Sequence, residues 1–153
     1  MYRRTQIRWA VVAVLTISWV VWMALLPGHT SNTVNLVPFR KHMAAVHRLS
    51  SGGPAAIDAA RFLFIDVLGN VAVFFPVGLS LAGALGYLLP RHRVWATIAV
   101  GAMLSISIEL IQLGIPGHAT DVDDVLFNTI GTALGAASSV VIQHRLKRNV
   151  LSA

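Results

Sequence analysis

Apolar residues run in four long blocks along this chain, at 9–26, 62–89, 94–115 and 122–142, and polar residues collect between them. A helix needs roughly 20 apolar residues to cross a bilayer core of about 30 Å, and each block is close to that length or longer. The pattern predicts an all-α polytopic membrane protein, with four transmembrane helices in one compact bundle and residues 1–153 forming a single domain. Pro27 and Gly28 close the first block, and Pro116 and Gly117 close the third, as helix stop signals do. Pro76 falls inside the second block, where it removes one helical hydrogen bond, frees the carbonyl of Ala72 and predicts a packing kink. The first block follows Arg3, Arg4 and Arg8, yet its apolar run exceeds the about 7–15 residues of a signal peptide and no A-x-A site follows. It reads as an uncleaved anchor.

Composition sharpens the class. The chain is 56% hydrophobic and 12% charged, whereas soluble domains are about 45–50% apolar and about 25% charged. Cysteine is absent, which excludes disulfides, thiolate nucleophiles and thiolate metal sites. The net charge of +6 does not point to nucleic acid, because no basic face persists along any helix.

The cations instead report topology. With four spans both termini share a side, and the short flanks there carry Arg3, Arg4, Arg8, Arg91, Arg93, Arg145, Lys147 and Arg148, eight of the twelve Lys and Arg residues. The other side holds Arg40, Lys41, Arg48 and Arg61 in one long loop, 27–61, broken by Ser50, Ser51, Gly52, Gly53 and Pro54. The positive-inside rule then predicts a plasma-membrane protein with both termini cytoplasmic and the long loop outside. Trp9, Trp19, Trp22 and Trp95 lie near span ends, where interfacial anchors are expected.

Ionisable groups at membrane depth are costly and mark candidate sites. Asp66 and Asn70 are spaced i, i+4; Ser105, Glu109 and Gln112 follow i, i+4, i+7; Asp121, Asp124 and Asn128 follow i, i+3, i+7. Each set would share one helix face. At about 1.5 Å rise per residue, Asp66, Asn70, Glu109, Gln112, Asp124 and Asn128 all fall within roughly 10 Å of the same membrane boundary. These six, with Asp121 and His118, form the expected ligand-binding cluster, and Glu109 and Asp124 are the catalytic candidates if there is catalysis. Gly131 and Gly135 continue the polar face of the fourth span as a G-x-x-x-G, which lets another helix approach closely or permits self-association.

Structural roles compete with each of these. Thr120-Asp-Val-Asp123 fits a capping box with Asp in place of Glu, and carboxylates suit a helix N-terminus. Asp124 and Asn128 could simply join helices, and Glu109 could bond Asn70 or Asn128. His118 is the one His beside the acids in sequence, but no metal-ligand spacing accompanies it, so neither a metal nor another cofactor is expected. His29, His42, His47, His92 and His144 read as loop or interface residues. Ser105 and Ser107 have no base partner apart from Glu109, so a serine nucleophile is not expected.

Four stretches together resemble the VanZ-like membrane proteins, a family named for a protein associated with resistance to the glycopeptide teicoplanin. They are NLVPF at 35–39, NVAVFFPVGLSL at 70–81, SISIELIQ at 105–112 and TDVDDVLFNTIGTALG at 120–135. Gly117-His118 departs from the Gly-Arg pair common in members, which replaces a permanent cation with a titratable one. The resemblance implies a multi-pass protein of the bacterial cell envelope connected with antibiotic resistance. Three readings follow: a bundle that binds an envelope lipid, a lipid-linked envelope precursor or a glycopeptide at the outer cluster; an intramembrane enzyme using Glu109 and Asp124 as acid and base; and a structural membrane subunit, in which a homo-oligomer is possible. Membrane lipids are the expected partners in every case.

Overall fold

A computed structural model describes residues 2–26 and 33–151. In chain order the elements are α1 (Tyr2–Ala24), β1 (Thr33–Asn35), α2 (Arg40–Leu49), α3 (Gly53–Leu85), α4 (Arg93–Gln112), β2 (Ala119–Asp121) and α5 (Val122–Leu151). Four helices are long and apolar enough to cross a membrane: Arg4–Ala24, Gly53–Leu85, Arg93–Gln112 and Val122–Arg145. The protein is an all-α multi-pass membrane protein, as the hydropathy pattern predicts.

The largest departures from that pattern lie in the second span and the segment before it. The second span starts at Gly53 rather than at 62. Its 33 residues are about 50 Å long at 1.5 Å per residue, well beyond a bilayer core, and the first turns carry Asp58 and Arg61. The 27–61 segment is also not an irregular loop, because it holds β1, α2 and the start of α3. Gly52 and Gly53, both at φ 69°, make the turn from α2 into α3, and Pro54 follows in the first turn of α3, where its missing N–H costs nothing. Pro27, Gly28 and His29 lie outside the described residues.

The bundle is apolar outside and small or polar inside. Val14, Leu15, Ile65, Leu110 and Leu134 are exposed, as lipid-facing positions are. Ser80, Thr97, Ser105, Thr132 and Ser139 are at most 1% exposed. Small residues at the seams let backbones approach, which is how helices pack when lipid supplies no hydrophobic drive between them. The α3–α5 pair is the most extensive contact, and α3 also packs against α1, α2 and α4. A Cβ on Gly131 would collide with the backbone of Val71, and one on Gly135 with the backbone of Phe75 and Leu79. The expected G-x-x-x-G face is thus used inside the chain, against α3, and is not open for self-association. Pro76 sits within an uninterrupted α3. Ser80 bonds the Pro76 carbonyl at 2.7 Å and meets Thr16 of α1 at 3.0 Å. Of the four tryptophans, Trp19, Trp22 and Trp95 are exposed, while Trp9 packs against Gly83 of α3.

Candidate functional site

All the acidic groups of the spans gather at the end of the bundle that carries β1, α2 and β2. β1 and β2 pair in parallel, with Asn35 opposite Asp121. This pairing ties the chain before α2 to the chain that enters α5.

Asp121 is the junction. Its Oδ1 accepts from Asn35 Nδ2 at 2.9 Å and from the Asp123 N–H at 3.1 Å. Its Oδ2 lies 2.7 Å from Lys41 Nζ. Because α5 begins at Val122, Asp121 is the N-cap residue and bonds the second helical N–H. The expected capping box does not form, because the Asp121 N–H donates to Glu109 and the Asp124 carboxylate accepts from Asn70. Thr120 instead lies in β2, and its hydroxyl donates to the Glu109 carbonyl at 3.4 Å. For the same reason Asp121 does not share a helical face with Asp124 and Asn128.

Asp123 does not act as a cap either. It is fully buried and turned toward α2, accepting from the Phe39 N–H at 2.8 Å and contacting His42 Nδ1 at 3.0 Å. The other ring nitrogen of His42, Nε2, is 3.0 Å from Asp66 Oδ2. His42 is thus clamped between two carboxylates, with the rings of Phe39, Phe62 and Phe127 around it. Phe39 adopts φ 59°, a left-handed conformation costing roughly 1–2 kcal/mol for a residue with a Cβ. The hydrogen bond to Asp123 holds it there. Residues 35–39 therefore dock α2 onto α3 and α5.

A second group of polar side chains lines a cavity of about 190 Å³ between α1, α3, α4 and α5. Its polar wall is Asn70, Glu109, Gln112, Asp124 and Asn128, and its apolar wall includes Val20, Met23, Val73, Phe74 and Ile108. Asn70 Nδ2 donates to Asp124 Oδ1 at 2.8 Å and to the Asp66 carbonyl at 2.9 Å. Glu109 Oε2 accepts the Asp121 N–H at 2.9 Å, a backbone partner rather than the Asn70 or Asn128 side chain expected. Gln112 Nε2 donates to the Ala24 carbonyl at 2.8 Å. Asn128 Nδ2 meets Ser105 Oγ at 2.9 Å. A larger hollow of about 330 Å³ lies between α2 and α3, lined by Lys41, Arg48, Asp58 and Phe62 among others. It lacks the convergent polar wall of the smaller one, so the candidate site is placed in the latter.

Five of the eight residues expected in the ligand-binding cluster thus line one cavity. Asp66 and Asp121 turn to α2 and β1. His118 is not part of the cavity wall, and its Nδ1 is buried without a hydrogen-bond partner among the described residues. Among the described residues no three His, Asp or Glu side chains converge as metal ligands. Sequence reasoning missed Asn35, Lys41 and His42. Only the structure shows that His42 and Ala45, an i, i+3 pair, are the buried residues of the polar helix α2 and so mark its inward face.

A family model for VanZ/LLP1 matches residues 7–143. The match covers all four spans, both strands and α2. The chain belongs to the VanZ/LLP1 family. No curated protein and no solved structure gives a significant match. Within this VanZ/LLP1 chain the four stretches that carry the family resemblance meet at the bundle end just described. NLVPF holds the α2 strap, the segments from 70 and 105 supply two walls of the cavity, and the segment from 120 supplies both the strap acceptors and the third wall.

Proposed function

We propose that this VanZ/LLP1 protein binds an amphiphile of the bacterial envelope in the cavity between α1, α3, α4 and α5, and that this binding contributes to tolerance of teicoplanin-type glycopeptides. The observation that carries the reading is the mixed lining of the cavity. Five polar side chains share it with Val20, Val73, Phe74 and Ile108. A molecule with a polar head and an apolar chain matches both, and such mixed, concave sites are where small ligands bind. The excess of cations on the opposite flanks supports a cavity that faces the outer leaflet, where envelope lipids and glycopeptides meet the membrane. The test is growth under teicoplanin of cells expressing wild type, Asp124→Asn or Glu109→Gln at equal membrane abundance. Both substitutions keep an acceptor oxygen for the existing hydrogen bond. If both variants protect as wild type does, the assignment is wrong.

One observation favours a second reading. Glu109 and Asp124 line the same cavity, so one could give and the other take a proton on a bound lipid-linked substrate. Turnover of envelope lipids by the purified protein, lost in either variant, would establish that reading over simple binding.

A further inference from the structure

The hydrogen-bond inventory of the cavity is one-sided. Asn70 spends its amide N–H groups on Asp124 and on the Asp66 carbonyl, and Gln112 spends one of its two on the Ala24 carbonyl. Those partners are oxygens that only accept, so the amide orientations follow from them. Asn128 Nδ2 is taken up by Ser105, while Asn128 Oδ1 is buried without a partner among the described residues. Asn128 itself is only 5% exposed. Glu109 uses one carboxylate oxygen on the Asp121 N–H, and Asp124 uses one on Asn70. Each carboxylate has a second oxygen with no hydrogen bond among the described residues. Among the described residues no Lys, Arg or His lines the cavity, and the nearby basic side chains are engaged elsewhere, Lys41 with Asp121 and His42 with Asp66 and Asp123.

The geometry points to a donor-rich cationic group as the natural occupant: a primary ammonium carried by the amphiphile, seated among Glu109, Asp124 and Asn128. This rests on the amphiphile-binding reading above and names its head group. The N–H bonds of an ammonium suit the carboxylate oxygens of Glu109 and Asp124 left without a hydrogen bond among the described residues, with the Asn128 amide oxygen beside them. Two carboxylates at membrane depth without a cation among the described residues lining the cavity are costly, and an incoming ammonium compensates both. A phosphate or carboxylate head would meet the two carboxylates of Glu109 and Asp124 and one remaining Gln112 N–H. An N-acetylated head offers one weaker, uncharged donor.

The experiment uses the full chain in phosphatidylglycerol nanodiscs doped with equal amounts of phosphatidylethanolamine and N-acetyl phosphatidylethanolamine. Lipid retained on the released protein is read by native mass spectrometry. Wild type is expected to retain the amine lipid over its acetylated form by about tenfold or more, the range of a charge-assisted hydrogen bond. The Glu109→Gln/Asp124→Asn double variant is expected to lose that preference while keeping its melting temperature. Equal retention of the two lipids by wild type overturns the ammonium assignment and leaves amphiphile binding standing. That comparison needs no variant, so it holds even if the double variant does not fold. Retention of neither lipid above the nanodisc ratio overturns both readings. Free ethanolamine is the last arm. If it displaces the amine lipid at equal concentration, the ammonium assignment stands and the amphiphile reading falls.

Discussion

Two polar clusters sit side by side at the same end of the bundle, and α5 supplies both. Around α2 the three carboxylates that meet His42 or Lys41 have partners: Asp66 and Asp123 flank His42, and Asp121 holds Asn35, Lys41 and its own helix start. In the cavity, Glu109 and Asp124 each keep an oxygen without a hydrogen bond among the described residues, and Asn128 keeps a buried acceptor unused. The divide falls between neighbours in sequence. Asp123 and Asp124 are successive residues, and a helix turns about 100° per residue, so one points at α2 and the other into the cavity. A saturated cluster serves structure, because each buried group lost exposes another to desolvation. An unsaturated one has capacity left for a ligand.

That contrast can be broken at its strong side first. Asp123→Ala is expected to cost about 3–5 kcal/mol, since it strands the buried His42 ring and the Phe39 N–H together. Its readout is a large fall in melting temperature and in membrane abundance. His42→Ala should cost somewhat less, about 2–3 kcal/mol, because Asp66 keeps partial access to solvent while Asp123 does not. Faster proteolysis in the 36–52 region before any cleavage of the spans would show that the strap has come loose.

The cavity side sharpens the comparison from the other direction. Asp124→Asn and Glu109→Gln should each change stability by less than about 1 kcal/mol, because each retains the oxygen its present donor needs. Protection against teicoplanin should nevertheless fall. A variant set in which stability and protection fell in proportion would erase the distinction between the clusters. The smallest effect belongs to Lys41→Met. Lys41 is 38% exposed although Asp121 is 8% exposed, so screening leaves this pair worth about 0–1 kcal/mol. The shift in melting temperature should shrink further as salt is raised.

The strap was hardest to read in advance. Residues 27–61 contain no block of apolar residues, and α2 taken alone is a polar, basic helix. What gives it a place is a set of partners 81 to 86 residues away, Asp123 for His42, Asp123 again for Phe39 and Asp121 for Asn35. No local periodicity encodes a contact at that range. Helical spacing also misled at one point. It put Asp121 on a face with Asp124 and Asn128, but α5 starts one residue later and Asp121 belongs to β2.

By itself the sequence determined the number of spans, the seam of small residues at Gly131 and Gly135, and the gathering of scarce polar groups at one end of the bundle. Those properties follow from hydropathy and helical rise, which act residue by residue and survive any arrangement of neighbours. Only the tertiary structure decided which acid is structural and which lines the cavity, that His42 and not His118 stands among the carboxylates, and which acceptors are left unspent. Hydrogen bonds saturate, and whether a given oxygen has a partner depends on every element that the fold brings within about 3 Å of it.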